Sequence, residues 1–157
     1  MLINSKDYTV LQNFRRMVRK MFREFLVYHH GSVEYRAKIF TLMISANGEM
    51  TECEKQKLKE IAFNIYKDDD DRAELLLDTV YEYHEKIITD NGLNFEHLIQ
   101  LVIKETREMK RFSKKIDINF LKQLMECTGE DSEEEMIFQE RLLEFLEELK
   151  KEYGNVA

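Results

Sequence analysis

Not one proline interrupts this chain of 157 residues, and glycine occurs only five times. Proline stops a helix by removing a backbone donor and clashing with the turn before it, and glycine marks sharp bends. A chain so poor in both is suited to helices joined by short corners. Hydrophobic residues make up 43% of it and charged residues 35%, which is enough to bury a core in a length that suits one domain. No stretch keeps the two-residue alternation of a half-buried strand. The expectation is an all-α fold, a single compact domain of about seven helices around a buried central helix.

The periodicity divides the chain as follows. Residues 1–32 read as a basic amphipathic helix packed on the domain, 33–153 as the helical body, and 154–157 as a short tail. In the first helix Leu11, Phe14, Val18, Met21 and Phe25 recur on one face, while Arg15, Arg16, Arg19, Lys20 and Arg23 fall mostly on the other. From Ile39 to Ala46 only small polar residues stand among apolar ones, as in a helix buried on several sides. Later stripes pass through Leu58, Ile61 and Ala62, through Leu76, Val80 and Tyr83, through Leu98 and Val102, and through Leu121 and Leu124. The last runs through Phe138, Leu142, Phe145 and Leu149. Asn94, Asp117 and Ser132 stand where helix caps are expected. Asp90-Asn91-Gly92 reads as a turn, and Lys110-Arg111-Phe112-Ser113-Lys114-Lys115 as a basic link.

One corner occurs twice. Leu42-Met43 precedes Asn47-Gly48-Glu49 and then Thr51-Glu52-Cys53-Glu54. Leu124-Met125 precedes Thr128-Gly129-Glu130 and then Ser132-Glu133-Glu134-Glu135. In each, Ser/Thr-x-x-Glu can form a reciprocal capping box, and Gly48 or Gly129 can adopt the left-handed conformation that closes the preceding helix. Capping explains most of the stretch. It leaves Asn47, Glu49, Glu52, Glu130 and Asp131 as oxygen ligands for a hard cation, Ca2+ or Mg2+, provided the two corners meet in space. The strict calcium-loop pattern is absent.

From Ile39 through Glu54, and on through Ile61-Ala62, the chain resembles the TerB-like family. This is the helical tellurite-resistance domain that also stands at the front of some membrane-linked DnaJ-type co-chaperones. Its members run from an apolar helix into an Asp-Gly-acid loop and a Ser-x-x-Glu helix start, with a weaker second loop later. The resemblance implies a helical domain with paired acidic loops, a part in stress response, cation binding and membrane-associated complexes, and no defined enzymatic reaction. Asn47 replaces the usual aspartate, which removes a charge and weakens any cation site. The His-Pro-Asp tripeptide of a J domain is missing, since there is no proline.

The net charge of −7 excludes a whole-surface nucleic-acid binder. Residues 1–30 carry six Lys and Arg against two Asp and Glu, a local +4 that leaves −11 on the rest. Such a helix can lie on an anionic membrane, engage an acidic partner, or pair with the acidic C-terminal helix. Cys53 and Cys127 are too few for a disulfide framework and read as free thiols in a reducing compartment. No apolar run is long enough to span a bilayer and no signal peptide is visible, so the expected location is cytoplasmic. His29, His30, His84 and His97 lack zinc spacing and read as isolated surface or boundary residues. Asp68 to Asp71 reads as a solvated turn. No catalytic motif stands out. The expected function is a non-enzymatic module that binds protein partners in stress response, with a divalent-cation sensor as the alternative.

Overall fold

A computed structural model of the chain describes residues 9–17, 31–46, 48–129 and 132–154. Residues 9–17 are helical (α1). The helices α2 (Ser32–Ser45), α3 (Glu52–Ile65), α4 (Asp70–Ile88) and α5 (Phe95–Glu108) follow. A 3-10 helix, η1 (Lys110–Lys115), then leads to α6 (Ile118–Met125) and α7 (Glu133–Gly154). No strand occurs among the described residues, and the fold is all-α.

The apolar run in α2 has the expected consequence. Every residue from Val33 to Ile44 except Arg36 is buried. The helix packs chiefly along α4 and also touches α5, α6, α7 and η1, so it is the central rod of the molecule. Leu58, Ile61, Leu76, Val80, Leu98, Val102, Leu121 and Leu124 from the predicted stripes all join its core.

Burial on all sides of α2 takes in polar groups that the sequence pattern did not single out. Lys38 and Glu105 are each 1% exposed, and the Lys38 ammonium donates to both carboxylate oxygens at 2.7 and 2.8 Å. Next to this pair, Thr106 donates its hydroxyl proton to the Val102 carbonyl at 2.6 Å. The Tyr35 hydroxyl, 2.7 Å from Thr106 Oγ1, must therefore be the donor in that contact. Burial pushes the Tyr35 phenol up to about 12, which keeps this donor protonated. The Tyr35 ring packs on Phe112 of η1 at 4.9 Å between centroids.

Three of the expected caps, Thr51, Asn94 and Asp117, are present, and Asp69, in the run read as a solvated turn, adds another. Asp69, Asn94 and Asp117 accept from the backbone N–H of Arg72, His97 and Phe120, respectively. Thr51 makes the full reciprocal box: its Oγ1 accepts from Glu54 N–H at 3.1 Å, and Glu54 Oε1 accepts from Thr51 N–H at 3.0 Å. Replacing Thr51 with alanine should cost about 1 kcal/mol. The expected reading is a lower urea midpoint with an unchanged denaturant slope.

Two local expectations differ from what is observed. Phe138 does not join the α7 core face and is 45% exposed, resting against Phe95 at 5.5 Å. Gln139, Leu142, Leu143, Leu146 and Leu149 form the buried face instead. On that face Gln139 Oε1 accepts from the Thr128 hydroxyl at 2.7 Å. In the second corner, Gly129 does not take the left-handed conformation. That belongs to Gly48 (φ 81°) in the first corner, and to Gly92 (φ 89°) and Asp90 (φ 51°) after α4.

Candidate functional site

The two repeated corners meet, and a covalent bond holds them. Cys53, in the first turn of α3, is joined to Cys127, just past the end of α6, with Cα atoms 5.6 Å apart. This corrects the expectation of two free thiols. Neither cysteine is free, and the argument from reduced thiols to a cytoplasmic location falls with them. The sequence did contain a signal: the only two cysteines both lie at corners of the repeated pattern.

Each corner is also tied to the helix behind it. In the first, Ser45 Oγ lies 2.9 Å from His84 Nδ1 of α4. In the second, Thr128 donates to Gln139 of α7. Across the junction the Lys57 ammonium stands 3.8 Å from Glu126. His84 is buried, at 5% exposure, and is not the surface or boundary residue that was expected. Desolvation lowers its pKa, against the opposing attraction of Glu49. The folded state thus favours the neutral ring, and this contribution is lost as pH falls below the ordinary imidazole value.

Of the predicted cation ligands, Glu49 and Glu52 are exposed on the first corner. The Glu52 carboxylate accepts from Lys55 at 3.2 Å. Asn47, Glu130 and Asp131 lie outside the described residues. Among the described residues, no group of three or more His, Cys, Asp or Glu side chains is placed to hold a metal ion. What the described part of the junction provides is a clasp between two helix pairs.

The second candidate surface is α1. Val10, Leu11, Phe14 and Met17 fall on one face at helical spacing, and all four are exposed, between 47 and 67%. Leu11 and Phe14 thus do not face a core as their spacing suggested. Arg15 and Arg16 are exposed as well. Arg19, Lys20 and Arg23, and the apolar Val18, Met21 and Phe25, lie outside the described residues. No helix among the described residues is long and apolar enough to cross a membrane. Comparison with protein-family models, with curated proteins and with solved structures finds no match for the chain.

Proposed function

We propose that the chain is a non-enzymatic helical accessory module that works by attachment. In this reading α1 lies on an anionic membrane surface, and the helical body is presented to protein partners. One observation carries it: four large apolar side chains of α1 stand in solvent on a single face. Burying a side chain of this size is worth about 1.5–3 kcal/mol, so leaving four exposed has a reason if another surface covers them. Charge selects the surface. The N-terminal 30 residues carry +4 on a chain that is otherwise −11, and each basic residue near an anionic leaflet contributes about 1 kcal/mol. The resemblance to TerB-like domains, on the residues of the two corners, supports a part in stress response of the tellurite-resistance or co-chaperone type.

Sedimentation with phosphatidylserine vesicles tests the attachment. The parent chain should pellet with vesicles at low salt and less so at high salt, because the electrostatic part is screened. Exchanging Leu11 and Phe14 for glutamate should keep the chain in the supernatant. An unaltered pellet for that variant, or none for the parent at low salt, would remove the membrane reading.

A further inference from the structure

Away from both the corners and α1, the 3-10 helix η1 and the last turns of α7 flank two adjoining open cavities of about 320 and 200 Å³. They share Ser113, Lys114 and Gly154. On a chain of net charge −7, the lining carries Lys110, Arg111, Lys114, Lys150 and Lys151 against one carboxylate, Glu147. Among the described residues none of these five cations forms an ion pair.

The local structure gathers them. Phe112 and Ser113 are buried, and the Ser113 hydroxyl donates to the Lys110 carbonyl at 2.8 Å, which anchors η1. With three residues per turn, Arg111 and Lys114 then stand one above the other, and both are exposed. In the larger cavity, which Lys114 also lines, Lys150 donates to the Ile116 carbonyl at 2.8 Å. That bond fixes the ammonium and leaves two of its three N–H donors available. Gly154 lets the end of α7 come close, since a Cβ there would sit 3.3 Å from Ser113 Oγ. The crowding of like charge reaches further. Burial first, and then the charges of Arg36 and Arg111, lower the pKa of Lys115 at the end of η1.

A structural reason alone falls short. Cations near a helix C-terminus complement its dipole, but that end carries only about half an elementary charge, and five positive groups surround this one. The larger cavity reaches the lower end of the size range of small-molecule sites, about 300 Å³. We propose that a compact polyphosphate group binds across the two adjoining cavities, at Lys114 which lines both, with Arg111 on the side of the smaller and Lys150 and Lys151 on the side of the larger. The guanidinium fork of Arg111 suits two phosphate oxygens at once, and the ammonium groups act as point charges around them. The group belongs either to a soluble di- or triphosphate or to a phosphorylated lipid headgroup.

Calorimetric titration of the full chain with sodium tripolyphosphate tests this. Saturable binding at low salt that weakens at high salt is expected. The Arg111→Gln, Lys114→Gln double variant should bind about tenfold more weakly or worse. Lys151→Gln, at an exposed helix position, should weaken binding even if the double variant proves hard to fold. Arg15→Gln with Arg16→Gln should change nothing, which separates this site from the α1 surface. Two vesicle arms find the source, using the chain with Leu11 and Phe14 exchanged for glutamate. Pelleting with phosphatidylcholine vesicles that carry a bisphosphorylated phosphoinositide, but not with phosphatidylserine vesicles of equal charge, assigns a lipid headgroup. Binding of tripolyphosphate with no pelleting assigns a soluble ligand. No heat from the parent chain at low salt, or equal affinity in the folded double variant, overturns the proposal.

Discussion

Removing the bridge between Cys53 and Cys127 lowers the stability of the folded chain by about 4 kcal/mol on a loop-entropy account. The two cysteines are 74 residues apart, so the closed loop is long, and the unfolded chain gains much freedom when it opens. The Cys53→Ser, Cys127→Ser variant should melt roughly 8–16 °C below the oxidised parent, given about 2–4 °C per kcal/mol at this size. Dithiothreitol should bring the parent down towards the variant and leave the variant itself unmoved. Thiol titration in denaturant is the direct check. Unreduced protein that shows two reactive thiols when unfolded would contradict the bond.

Exchanging Lys38 for methionine has an effect of the same order. Both carboxylate oxygens of Glu105 receive the Lys38 ammonium at under 3 Å, in a site where each residue is 1% exposed. Losing one partner of a buried ion pair typically costs about 3–5 kcal/mol, because the desolvated charge loses its compensation. Against a total of about 5–15 kcal/mol for an ordinary domain, that is a large share. Chemical denaturation of Lys38→Met, of Glu105→Leu and of the two together forms a cycle. The pair should not be additive, with a coupling of about 2 kcal/mol or more. Additive losses would mean that the two side chains do not act as a pair.

The helices and their caps could be read from the sequence because local chemistry decides them. Thr51, Asn94 and Asp117 each satisfy a backbone N–H within three residues of their own position. The apolar run of α2 left it no solvent face. What the sequence hid depends on partners far along the chain. Lys38 and Glu105 are 67 residues apart, and a single lysine at the start of an apolar run looks like a surface residue until its counter-ion is found. The corners were recognisable as a repeat, yet nothing in their spacing said that they touch. The basic run from Lys110 to Lys115 looked like a plain link, because its cleft needs α7, and α7 comes much later in the chain.

The position of the bridge along the chain has a mechanical meaning. The central rod α2 ends before Cys53, and α7 begins after Cys127. The covalent ring therefore spans α3 to α6 and leaves α2 outside the closed loop. Oxidation braces the hoop directly, whereas the axle is kept in place by non-covalent contacts alone, its packing and the Lys38, Tyr35 and Ser45 bonds to α4 and α5.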